Sequence, residues 1–228
     1  MVKNQIHLYW LLTSHIFGLF PVVVTYRDFK KHKDYQSLYM FFNNLAAILF
    51  SVLYHTRDYS RVNEPIKSTN DLWVLLDHWS ASRLMLTTSF YLMILKTEIF
   101  YIYVYFISVI LLIVKLLSSH LLSFVTIFSC LFISLVRYKI VLKYFCLFPK
   151  FSISFLINII LAVVFYFLAL NNNYELWHSL WHLCVFIASG IGCKARELLY
   201  NHYKLNTVTQ RNMETEIVTY SRTTSTSI

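Results

Sequence analysis

Residues 151–170 read FSISFLINIILAVVFYFLAL, a stretch without one charged side chain. A helix that crosses a bilayer needs about 20 predominantly apolar residues, because each adds ~1.5 Å against a hydrocarbon core of ~30 Å. This stretch meets that requirement alone, and the rest of the chain repeats its character. Of 228 residues, 57% are hydrophobic and only 14% are charged, where a soluble domain carries about 25% charged residues. With three glycines and three prolines, the composition predicts an all-α, polytopic membrane protein.

Working outward from that run, six more stretches qualify as spans. The full set is roughly 6–26, 36–55, 72–95, 98–117, 119–136, 151–170 and 175–193. The shortest separators are KTE at 96–98 and KLLSSH at 115–120. The first run has no small-residue cleavage site, so it reads as a span and not as a signal peptide. Residues 1–193 are thus expected to form a seven-transmembrane-helix bundle. Residues 194–228, ending in SRTTSTSI, are expected to form a polar, disordered cytosolic tail.

The loops carry the orientation. One set of alternate loops holds Arg27, Lys30, Lys31 and Lys33, then Lys96, then Arg137, Lys139, Lys143 and Lys150, then Lys194, Arg196 and Lys204. The opposite set holds only Lys3, Arg57, Arg61, Lys67 and Lys115. Cytosolic loops are enriched in Lys and Arg, which places the N-terminus outside and the C-terminus in the cytosol, in the plasma membrane or a secretory-pathway membrane. The net charge of +9 is therefore explained by short loops, and no nucleic-acid partner is expected. Cys130, Cys146, Cys184 and Cys193 lie in or beside apolar runs, in no pattern of a disulfide framework or zinc knuckle.

That topology brings scattered polar residues to one depth. Span two ends outside with SVLYHTRD (51–58), where Ser51 and His55 are four apart and share a helix face. Span three starts outside with DLWVLLDHWSASR (71–83), placing Asp77 and His78 about one and a half turns in. Span seven starts outside with ELWHSLWH (175–182), placing His178 and His182 on one face, about 5 and 10 Å below its start. Zinc favours imidazole nitrogen, and a catalytic zinc takes three protein ligands plus water. His55, His178 and His182 are the candidate ligands of Zn2+, with His78 as a substitute for His55. Asp77 is the candidate to accept or orient the water proton, and Ser51 to hydrogen-bond the water or polarise a carbonyl.

Plainer readings stand beside these. Histidine and tryptophan are common at membrane interfaces. Asp77 also fits a helix-start carboxylate, or a poorly spaced partner of Arg83. Asp58 fits a solvated loop charge. Arg83, near mid-span, is expensive unless paired or wet; it fits a lipid-phosphate ligand, a snorkelling side chain or a partner of an acid. FYIYVYF (100–106) reads as lipid-facing and packing surface. Span seven has no lysine for retinal and no proline, and no acidic-Arg-Tyr sequence follows span three, which argues against retinal proteins and G-protein-coupled receptors.

The motifs SVLYHTRD, LLDHWSAS and WHSLWH resemble those of a seven-span superfamily. It joins alkaline ceramidases, progestin/adiponectin receptors, post-GPI-attachment phospholipases and the myomaker-like proteins. The resemblance covers roughly residues 36–193. It implies a zinc ion on His55, His178 and His182, with Asp77 and Ser51 beside the metal water. The YH-x-x-D sequence and the HSLWH form are most similar to the myomaker-like branch, which contains GPI-directed phospholipases and a muscle-cell fusion protein. The tail lacks the terminal cysteine cluster of that fusion protein. The expectation is a lipid ester or amide hydrolase acting on a membrane lipid from the outer or lumenal leaflet. The alternative is a non-enzymatic membrane protein of cell fusion or signalling, with zinc as a structural clasp.

Overall fold

The computed structural model describes residues 9–10, 12–60, 72–171 and 174–225, and every element among them is helical. The chain runs through α1 (Leu19–His32), α2 (Tyr35–Ser60), α3 (Leu72–Leu92), α4 (Thr97–Leu117), α5 (Ser119–Val136), α6 (Tyr138–Leu147), α7 (Pro149–Asn171) and α8 (Tyr174–Ser225). A short helical run over 12–16 precedes α1 across a tight turn, closed by Gly18 N–H to His15 C=O at 2.9 Å.

Most of the described connections between these helices are very short, and local chemistry makes their turns. Lys33 adopts a left-handed conformation (φ 55°) and its N–H returns to Phe29 C=O, ending α1. Asp34 then accepts from Gln36 N–H, opening α2. The KLLSSH separator turns on the single extended residue Ser118, whose hydroxyl accepts from Leu121 N–H and caps α5. Pro149 opens α7, where its missing N–H has no intrahelical acceptor to lose.

Four helical stretches are long and apolar enough to cross a membrane: Tyr35–Thr56, Thr97–Leu117, Pro149–Ala169 and Leu176–Lys204. Residues Leu121–Val136 and Tyr138–Leu147 make a fifth candidate as a pair bent by 78°. Their large apolar side chains face outward, among them Leu116, Leu117, Phe124, Phe132, Leu135, Ile160 and Phe167. Left in water, each such side chain forgoes roughly 1.5–3 kcal/mol of burial, so a lipid environment is the physical reason for this surface. The molecule is an integral membrane protein. In FYIYVYF, Phe100 and Val104 are buried while Ile102, Tyr103, Tyr105 and Phe106 are exposed, so one run supplies both packing and outer surface.

Two expected spans, α1 and α3, do not meet the same length-and-hydropathy test. α1 has 14 residues, about 21 Å of helix, and continues toward residue 12 only through the turn at Phe17–Gly18. α3 is long enough but polar, and it buries Asp77, Ser80, Ser82, Thr87 and Thr88. It packs against α2, α4, α5 and α8, so its surroundings are protein rather than lipid. Its polar groups are answered locally: Thr87 donates to Arg83 C=O and accepts from the Asn43 side chain at 2.6 Å, and Trp79 donates to Ser108 C=O at 2.9 Å. An enclosed helix needs partners more than hydropathy.

Residue 193 is not a boundary. α8 continues unbroken through Ser225, and Ala195, Arg196 and Leu199 are buried. Tyr144 of α6 packs with Ala195 and Leu199 and donates to Leu92 C=O at 2.8 Å. The polar segment after Cys193 therefore begins inside the bundle, because its first turns still carry apolar residues at helical spacing. Arg196 closes this end. Its guanidinium reaches Asp34 at 2.8 Å, Asp28 at 3.3 Å and the Gln36 side chain at 3.1 Å, over the Tyr91 ring at 3.9 Å.

Candidate metal centre

The other end of α8 holds the histidine pair. His178 and His182 are one turn apart, so both rings project from one face toward α2. His55 comes from α2, one turn after Ser51, and all four side chains are buried. The ring nitrogens converge on His182: its Nε2 lies 3.2 Å from His55 Nε2 and 3.1 Å from His178 Nε2. Ser51 Oγ is 3.5 Å from the same atom. Asp77, buried on α3, lies near Ser51, whose hydroxyl acts on its carboxylate. The structure thus brings together Ser51, His55, Asp77, His178 and His182 from three helices.

Two Nε2 atoms set against a central one are a poor hydrogen-bonding arrangement. Each neutral ring nitrogen has either one proton or one lone pair, so a central Nε2 cannot bond well to two others. A cation resolves this, because all three lone pairs can point at it. Zinc–nitrogen distances of about 2.0–2.1 Å in a tetrahedron place neighbouring nitrogens about 3.4 Å apart, close to the separations seen. The donor chemistry fits zinc; the ligand atoms that close within 4.8 Å of one another are those of His15, His55 and His182, with His178 joined to them through His182. Rings of Trp181 and Phe186 flank His182, with centroids at 4.6 and 5.8 Å, and screen it from lipid and water.

A fourth histidine, absent from the sequence reading, joins them. His15 is buried, its ring centroid is 4.4 Å from that of His182, and ligand nitrogens of His15, His55 and His182 all lie within 4.8 Å of one another. The signal was one ionisable residue inside the first apolar run, TSHIFG. Gly18, one turn later, lets this segment approach α2: a Cβ there would sit 2.7 Å from Ile48 Cδ1.

The other candidates go elsewhere. His78 has a partner of its own: its Nδ1 accepts from the Lys115 ammonium at 2.9 Å, and His55 is the histidine of the two that lies against His182. Lys115, counted from sequence as a loop charge, is buried in the last turn of α4 and acts on the Asp77 charge. Arg83 hydrogen-bonds the Tyr39 hydroxyl and sits over the Tyr39 and Trp79 rings, at 5.5 and 5.1 Å. Among the described residues its partners are thus an aromatic cradle and not an acidic side chain. The side chain of Asp58 lies outside the described residues.

No curated protein and no solved structure matches the chain. One family does, over residues 5–183, a stretch that begins ahead of His15 and ends just past His182. Matched across more than half its length and over every residue of this centre, the chain belongs to the family described as a protein of unknown function (DUF3522).

Proposed function

We propose that the protein is a zinc-dependent hydrolase of a membrane lipid, cutting an ester or amide bond from the outer or lumenal leaflet. The observation that carries this reading is the gathering of His55 and His178 around the Nε2 of His182, with Ser51 and Asp77 beside them. The resemblance to the superfamily of ceramidases, phospholipases and myomaker-like proteins supports the same assignment of roles. The bundle is read as seven spans, with α1 and α3 as enclosed crossings, the N-terminus outside and the C-terminus cytosolic. The loop-charge asymmetry supports that orientation.

The three histidines would hold the ion through Nε2. Zinc held there would supply Lewis acidity, which lowers the pKa of a water to about 7. Asp77 accepts a proton from the attacking water and returns it to the leaving group. Ser51, near Asp77 and against His182, positions that carboxylate and offers its hydroxyl dipole to charge developing on the carbonyl oxygen. Lys115, beside Asp77, helps hold its negative charge. With His178 only about 5 Å below the start of its helix, substrate enters laterally from the leaflet.

His15 favours a second reading, a structural zinc clasp in a non-enzymatic protein. His15, His55 and His182 already bring three ligand nitrogens within 4.8 Å of one another, and His178 beside His182 would be a fourth that closes a tetrahedral ion, whereas catalysis leaves one position open. Metal analysis combined with lipid turnover separates the two. Under hydrolysis, Asp77→Asn keeps zinc and loses turnover, and His15→Ala keeps zinc. Under the clasp, His15→Ala loses zinc and Asp77→Asn leaves biological function intact.

A further inference from the structure

We propose that Asp28, His32 and Glu197 form a second divalent-cation site at the opposite end of the bundle, suited to a first-row ion of the Mn2+ or Zn2+ class. Fifteen residues of α8 separate His182 from Glu197, about 22 Å of helix, so the two sites are independent.

The two oxygens of Asp28 have different surroundings. Its Oδ2 receives the Ser37 hydroxyl at 2.6 Å, the Tyr91 hydroxyl at 3.0 Å and Arg196 at 3.3 Å. Its Oδ1 is buried with no hydrogen-bond partner, on a side chain only 1% exposed. One turn along α1, His32 is 5% exposed, and its Nε2 also has no hydrogen-bond partner. The two orphaned atoms face each other at 3.7 Å, too far for a hydrogen bond. Glu197 on α8 completes the group, with ligand atoms of all three residues within 4.8 Å of one another.

An unsatisfied buried donor or acceptor costs about 1–3 kcal/mol, and native proteins leave few of them. Here one cation satisfies both at once. Ligand atoms around an ion at 2.0–2.2 Å sit about 3.0–3.6 Å apart, near the gap observed. One imidazole and two carboxylates suit Zn2+ or Mn2+ better than the oxygen-only sets preferred by Ca2+. Glu197 is 13% exposed and gives the ion a route in from water. Its Oε2 holds Lys194 at 2.6 Å, while Oε1 is approached only by Lys31, 58% exposed and 3.9 Å away. Lys31 can swing into water as the ion enters. The competing arrangement is His32 set between the two carboxylates with no metal.

The test uses the full chain in detergent, stripped by chelator, then equilibrated with Zn2+ alone or Mn2+ alone and assayed for bound metal. Glu197→Gln and His32→Gln each should lose one metal equivalent that His178→Ala retains. Lys194→Ala, which uncovers the second Glu197 oxygen, should bind that equivalent more tightly. Glu197 lies at the surface, so its variant keeps the proposal testable should His32→Gln fail to fold. Equal metal content in wild type and Glu197→Gln, with either ion, would overturn it and favour the metal-free arrangement. If the histidine centre held no metal, wild type would instead bind an equivalent insensitive to His178→Ala but lost in Glu197→Gln.

Discussion

His182 carries more of the histidine centre than either neighbour, because its Nε2 touches His55, His178 and Ser51 at once. Substituting Asp77 by Asn preserves shape but removes the proton acceptor. Turnover should fall by roughly 10²–10⁴-fold with zinc content unchanged, as read by lipid hydrolysis and metal analysis on one preparation. Spacing made five of these residues legible in sequence. Two pairs at i,i+4 define a face, and the loop charges, counted without them, set a common depth. His15 was not legible, since a lone histidine in an apolar run has no spacing partner. Lys115 was misread for the opposite reason: it lies at a helix end, yet it turns inward to His78. Removing it from the loop count leaves the charge asymmetry intact.

At the scale of the element, hydropathy found the helices that face lipid and undercounted those that face protein. α3 passes as a helix but not as a span, because its threonines and serines answer one another and its neighbours. The KLLSSH separator proved sufficient, since one capped serine makes the turn. The segment after span five, expected as a loop, instead holds α6, bent by 78° from α5 at Arg137. Close helix contact is the other element-level device. A Cβ on Gly190 of α8 would lie 2.2 Å from Phe20 Cδ1 and 2.8 Å from its Cγ, so the whole ring of α1 must move. Gly190→Ala should destabilise the protein by about 1–3 kcal/mol in detergent unfolding. Adding Phe20→Ala should recover part of that loss, because the two sites share one contact.

At the scale of the whole molecule, α8 links the two polar ends, with the histidine pair near its start and Arg196 some 14 residues beyond His182. Arg196 ties α8 to Asp28, Asp34 and Gln36 through bonds that only a fork-shaped guanidinium can make together. Arg196→Met leaves Asp28 and Asp34 uncompensated and should cost about 3–5 kcal/mol in the same unfolding assay; Arg196→Lys should recover only part. Orientation is tested by tags: an N-terminal epitope should be protected in sealed right-side-in microsomes, and a C-terminal one exposed to the cytosolic side.

The central claim is that the histidines hold an ion, and metal content tests it most directly. Wild-type protein, purified without strong chelators, should carry zinc, and His55→Ala, His178→Ala and His182→Ala should each lose the same equivalent. Wild-type protein without zinc, or with zinc that none of the three substitutions removes, would contradict the account.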